Sequence, residues 1–127
     1  MAKNKKILLV VEDNQPLREV IKDKFLKEGF EVLEASDGAQ GLNIFSKEKP
    51  DIILLDIIMP VMDGITMLKK LRRLEAGKKV PVIVLTNLAE VGITAEALEH
   101  GVHDYLIKSD WKLEQVVEKV NEKLGLK

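Results

Sequence analysis

Three short stretches of this chain, residues 7–11, 52–55 and 80–85, contain only apolar side chains. A strand with one wet face alternates apolar and polar residues, and these do not alternate. Both of their faces must therefore be covered, which is the pattern of strands inside a parallel sheet flanked by helices. The stretches between them have the complementary pattern. After the first run, Asn14 stands where an N-cap belongs and Pro16 falls in the first helical turn. Leu17, Val20, Ile21 and Phe25 then recur at helical spacing until Gly29. With 127 residues, the chain is long enough to bury such a sheet in a single domain.

The same reading extends along the whole chain. Residues 30–35 predict a second strand, diluted by Glu31 and Glu34, and Asp37–Gly38 turns into a weaker helix over about 39–47. Residues 51–56 predict a third strand, apolar except at its ends. A loop at 57–63 leads into a helix to about Glu75. A fourth strand at 80–85, a helix over about 90–99, a short strand at 105–107 and a last helix carrying Leu113, Val116, Val117, Val120 and Leu124 complete the chain. Asp110 is expected to cap that last helix, with Trp111 opening it. Five strand–helix repeats predict an α/β fold, a doubly wound five-stranded parallel sheet. The all-apolar strands take its centre, and the charged and short strands its edges. Right-handed crossovers then favour the order 2-1-3-4-5.

Composition excludes several classes of function. Twenty Lys+Arg against 21 Asp+Glu leave a net charge of −1, so no charge excess points to nucleic acid or an anionic membrane surface. The chain has no cysteine, which excludes a disulfide scaffold, a thiolate zinc site and a thiol nucleophile. Its apolar runs are too short to span a bilayer, and Glu12–Asp13 end the first one too early for an export signal, so a cytoplasmic protein is expected.

In a sheet of this kind, function collects beyond the carboxyl ends of the strands. Glu12 and Asp13 follow strand 1, Asp56 ends strand 3, Thr86 follows strand 4 and Lys108 follows strand 5. Neighbouring strands thus bring three carboxylates, a hydroxyl and an ammonium to one place. Two like charges about 4 Å apart repel by about 4 kcal/mol at an effective dielectric of about 20. Lys108 offsets part of this. A hard divalent cation such as Mg²⁺, which favours oxygen donors and keeps some of its waters, would offset more and leave room for a phosphoryl group. An Asp beside a cation, a hydroxyl and a Lys can attack phosphorus and become an aspartyl phosphate.

Glu12-Asp13-Asn14, the run DIIMPVMDG at 56–64, VIVLT at 82–86 and GVHDYLIK at 101–108 together resemble the receiver domain of bacterial response regulators. The likeness covers essentially all of residues 1–127 and is nearest to the stand-alone, CheY-like type, so a single receiver domain without an output domain is expected. The resemblance implies a phosphorylation switch of two-component signalling rather than an enzyme in its own right. Asp56 would be the phospho-acceptor. Mg²⁺, or Mn²⁺ in its place, would be held by Asp13, by Asp56, by Glu12 through water and by the backbone carbonyl of Ile58. Thr86, the backbone N–H of Asn87 and Lys108 would bind the phosphoryl oxygens, and Thr86 with Tyr105 would relay the change. Met59, Pro60 and Gly64 would shape the loop after Asp56. Ile58 and Leu88, both apolar, would flank the path of the hydrolytic water and prolong the phosphorylated state. A sensor histidine kinase or phosphotransfer protein would supply the phosphoryl group. A downstream protein would dock on the face of helix 4, strand 5 and helix 5.

One departure from the family pattern is Ser109, where a proline usually follows the lysine; a trans peptide bond is expected there. Other functions fit less well. A receiver that never accepts phosphate would not need all of these site residues. A haloacid-dehalogenase-type phosphatase needs a second Asp at the position of Ile58, and a flavodoxin-like carrier needs a Ser/Thr/Gly-rich loop where Glu12-Asp13-Asn14 stands.

Overall fold

The computed structural model describes residues 5–87 and 91–126. Five strands alternate with five α-helices: β1 (Ile7–Val11), α1 (Gln15–Lys27), β2 (Glu31–Ala35), α2 (Gly38–Glu48), β3 (Ile52–Leu55), α3 (Gly64–Arg73), β4 (Val82–Thr86), α4 (Val91–Glu99), β5 (Asp104–Ile107) and α5 (Leu113–Leu124). The strands form one parallel sheet in the order β2-β1-β3-β4-β5, as the covered and charged runs require.

Side-chain alternation along the apolar strands supplies two cores. Leu9, Val11, Ile53, Leu55, Val82 and Val84 face one layer, where they meet Phe45 of α2, Met67, Leu68 and Leu71 of α3, and Ala97 of α4. Leu8, Val10, Ile52, Leu54, Ile83 and Leu85 face the other, against Ile21 and Phe25 of α1 and Val116, Val117 and Val120 of α5. Burying each large side chain contributes about 1.5–3 kcal/mol, which is why the all-apolar strands hold the centre. At the β2 edge, Glu34 is held by Arg18 at 3.2 Å and Lys22 at 3.0 Å, so ion pairs cover the exposed rim.

The helix starts follow local chemistry. Asn14, Asp37 and Asp63 each accept a hydrogen bond from the third residue on, Leu17, Gln40 and Thr66 respectively. At the other end of α1, Gly29 adopts φ +93°, a backbone conformation that side-chain-bearing residues disfavour.

Several boundaries differ from the sequence expectation. β4 begins at Val82 rather than residue 80, because Pro81 has no N–H to give the ladder; its carbonyl still accepts from Ile53 N–H at 3.0 Å. Helix α3 ends at Arg73, where Leu74 turns extended, rather than at Glu75. Asp110 does not cap α5. Residues Lys108–Asp110 form a 3₁₀ turn, Trp111 is extended, and Lys112 is the N-cap, its own N–H donating to Gln115 Oε1 at 2.8 Å. The short turn wins because it carries the chain sideways from the end of β5 to the start of α5.

Candidate functional site

The site is built where β1, β3 and β5 end. One residue past β1, Glu12 continues the sheet by donating its N–H to the Ala35 carbonyl at 3.0 Å. That leaves its side chain only 3% exposed, beneath the sheet's carboxyl edge. Its carboxylate accepts from the Asn14 N–H at 3.1 Å and from Lys108 Nζ at 2.7 Å. Asp56, one residue past β3, donates its N–H to the Val11 carbonyl at 3.0 Å and is likewise buried. Its carboxylate accepts from Lys108 Nζ at 3.0 Å and from the Ile58 N–H at 3.3 Å. Asp13 lies at the open side, and oxygens of Glu12, Asp13 and Asp56 all fall within 4.8 Å of one another.

Lys108 therefore bridges two buried carboxylates although 96 residues separate it from Glu12 and 52 from Asp56. Burial pulls its pKa down, but hydrogen bonds and charge from Glu12 and Asp56 outweigh that and hold it above the usual lysine range. Glu12 moves up too. Burial is the main cause and the Asp56 charge adds to it, against the hydrogen bonds from Lys108 and the Asn14 N–H. One ammonium thus only partly compensates three converging carboxylates. Oxygen donors of this kind, two buried and one open, fit a hard divalent cation.

The remaining sequence-predicted residues fall around this cluster. Thr86 ends β4 and is fully buried. Alternation puts it on the same face as Val82 and Val84, and Tyr105, in register with Val84, is half-buried against that same core. Asn87 follows Thr86 at the surface, and Ile58 is 59% exposed beyond Asp56. Leu88 lies outside the described residues. No peptide bond among the described residues is cis, and Lys108 reaches both carboxylates across a trans bond to Ser109.

The loop after Asp56 is pinned at both ends. Gly64 N–H donates to the Ile57 carbonyl at 2.9 Å, and a Cβ at Gly64 would fall on the Asp56 carbonyl oxygen, so only glycine lets α3 start so close to the acidic site. The Met62 carbonyl accepts from Gly38 N–H at 2.9 Å. Between these anchors, Met62 N–H closes a three-residue turn onto the Pro60 carbonyl at 2.7 Å and forces Val61 to φ +67°.

Sequence reasoning missed Arg18. Its Nη1 donates to the Glu12 carbonyl at 2.7 Å while its Nε holds Glu34, tying the acidic turn to the edge strand. An arginine on the wet side of an amphipathic helix carries no sign of such a role. Only the packing of α1 beside β2 assigns it.

Comparison with known proteins agrees with this geometry. The family model for the response regulator receiver domain matches residues 8–121. The chain belongs to that family. It is 34% identical over 119 residues to the chemotaxis protein CheY of Bacillus subtilis, covering 93% of this chain and 97% of that protein. It is 37% identical to the probable transcriptional regulator ycf27 of Cyanophora paradoxa, covering 83% of this chain but 43% of that longer protein. Among solved structures, a CheY-like receiver domain protein from Methanospirillum hungatei superposes with a TM-score of 0.89 at 29% identity, covering 96% of this chain and 95% of that one. The receiver domain of the sensor histidine kinase PA1611 from Pseudomonas aeruginosa, which has magnesium coordinated in its active-site cleft, gives 0.86 at 31% identity, with 96% and 99% covered. CheY in a complex of CheX, CheY, BeF₃ and magnesium from Borrelia burgdorferi gives 0.84 at 26% identity, with 94% and 89% covered. This receiver domain is a component of two-component signalling, and no helix of its described residues is long and apolar enough to cross a membrane.

Proposed function

We propose that this receiver is a phosphorylation switch in which Asp56 takes a phosphoryl group from a histidine kinase, a phosphotransfer protein or a small phosphodonor. The observation that carries this is the Lys108 ammonium bridging buried Glu12 and Asp56 at 2.7 and 3.0 Å, with Asp13 open beside them. An oxygen of Asp56 attacks phosphorus. The new O–P bond forms as the bond from phosphorus to the donor's leaving atom breaks, and that atom keeps the electron pair. Lys108 already lies against Asp56 and pairs with one of the transferred oxygens, while Thr86 and the Asn87 N–H bind the others.

Glu12, Asp13, Asp56 and the Ile58 carbonyl would hold Mg²⁺, with Mn²⁺ a substitute. When bound, the ion neutralises charge that builds up on the phosphoryl oxygens. Phosphorylation draws Thr86 toward the site, Tyr105 repacks behind it, and the α4–β5–α5 face then selects a protein partner. The B. burgdorferi complex supports a protein target for a protein of this fold, and the B. subtilis relative a role of the chemotaxis type. The protein acts stoichiometrically rather than as a turnover enzyme. Exposed Ile58, two residues past Asp56, has no proton to give or take and cannot orient water for attack on the phosphoryl group.

The test is intact and peptide mass spectrometry after acetyl phosphate treatment, with Mg²⁺ and with chelator. One phosphoryl adduct on Asp56, dependent on metal and lost in Asp56→Asn, is expected. Asp56→Asn should keep the parent's melting temperature or exceed it, since it removes a repelled charge. Equal labelling with chelator, or an adduct elsewhere, would overturn the proposal.

A further inference from the structure

Between α1 and α5 runs an apolar groove of about 140 Å³ whose walls include Leu17, Val20, Leu85, Trp111 and Leu113, with Lys108 of the acidic cluster also lining it. Lys108 thus has two surroundings. Its ammonium sits on Glu12 and Asp56, and the residue also lines the apolar groove. The backbone carrying it leaves the sheet at that point, just after Ile107 pairs with Thr86. Lys108 opens the 3₁₀ turn, and Ser109 and Asp110 are exposed. Trp111 is the only apolar side chain between Ile107 and Leu113. It packs half-buried against the core shared by α1 and α5.

We infer that Trp111 is a positioning residue for Lys108, its indole anchoring the 108–110 turn and closing the groove along the lysine stem so that the ammonium stays on the acceptor carboxylate. The physical reason is rotamer entropy and screening. A lysine stem free to turn costs order each time it is recruited, and water admitted beside it weakens its ion pairs. With no proline after Lys108, side-chain packing at Trp111 adds a restraint to those of the 3₁₀ turn and the end of β5. This rests on the role of Lys108 proposed above.

The experiment is a double-mutant cycle on the full chain, reading the rate of acetyl phosphate labelling and, separately, Mg²⁺ affinity by calorimetry. Trp111→Ala is expected to slow labelling about tenfold, the scale of a modest misplacement of a reacting group. Its Mg²⁺ affinity should hold or rise, because a looser ammonium competes less for the carboxylates. Trp111→Phe should restore labelling to within about twofold, and Trp111→Ala in a Lys108→Met background should cost nothing further. An equal loss in the Lys108→Met background, a parallel fall in Mg²⁺ affinity or failure of Phe to rescue would overturn the inference. If Trp111→Ala does not fold, Trp111→Leu, a smaller apolar anchor, runs the same cycle with the same outcomes. A Lys108→Met protein that labels as fast as the parent would instead remove the proposed role of Lys108, a result distinct from any of these.

Discussion

Val61 is one of two described non-glycine residues with a positive φ, and the only β-branched one. Its φ of +67° puts a β-branched side chain in the left-handed region, 85% exposed, one residue after Pro60. No burial offsets this, and the conformation costs about 1–2 kcal/mol in an L-residue. Asparagine tolerates that region and loses nothing by exposure there. Val61→Asn is expected to stabilise the protein by about 1 kcal/mol, read as a higher urea midpoint at unchanged slope. A lower midpoint would show that the turn does not strain Val61. At the acidic site, by contrast, tension is electrostatic. Glu12 is buried next to Asp56, and its pKa is raised mainly by that burial, with the Asp56 charge adding to it.

Among the elements, α3 shows how the sheet's amino end is fastened. Arg72, in its last turn, donates from Nε to the His100 carbonyl at 2.8 Å and from Nη1 to the Gly77 and Val80 carbonyls at 2.9 and 2.7 Å. One guanidinium thereby joins the end of α3, the loop into β4 and the turn after α4. Burial lowers its pKa, and carbonyl dipoles rather than a carboxylate hold its charge among the described residues. Arg72→Met keeps the stem and loses three hydrogen bonds from a charged donor. We expect a loss of about 2 kcal/mol in urea unfolding. Asp56 labelling should be unchanged, since this anchor lies at the opposite end of the strands. A labelling defect that scales with the stability loss would mean that the two ends of the sheet are not independent.

For the whole molecule, the proposed switch has to carry a change at Asp56 to the face of α4, β5 and α5. Among the described residues Thr86 is the one buried hydroxyl at the carboxyl edge of the sheet, and Tyr105 packs on the same face of the neighbouring strand. A small displacement of Thr86 changes the space open to that ring, and a close-packed interior responds to such a change by repacking. Thr86→Ala should therefore still accept a phosphoryl group but lose most of the phosphorylation-dependent amide shifts over residues 91–112. Shifts as large as the parent's would show that the response takes another route.

Much of this was legible in the residues themselves. Short uninterrupted apolar runs, rich in β-branched residues and bounded by turn signals, read as buried strands, and their number, spacing and charged or short companions point to a parallel sheet and its edges. Once the strand order is known, Glu12, Asp13, Asp56, Thr86 and Lys108 must converge, because each follows or ends a strand whose carboxyl end points the same way. Boundaries were less legible. Pro81 and the turn at 108–110 shift them by a residue or more, because ladder hydrogen bonds and connection geometry outweigh local propensity. Contacts that join segments through backbone atoms were decided only in the tertiary structure: Arg18 on the Glu12 carbonyl and Arg72 on three carbonyls. A carbonyl leaves no mark on residue type, so a side chain that recognises one cannot be read from spacing. The strain at Val61 was hidden for the same reason. It arises because Gly38 and Ile57 fix the two ends of its loop, and neither tie can be seen from valine's own place in the chain.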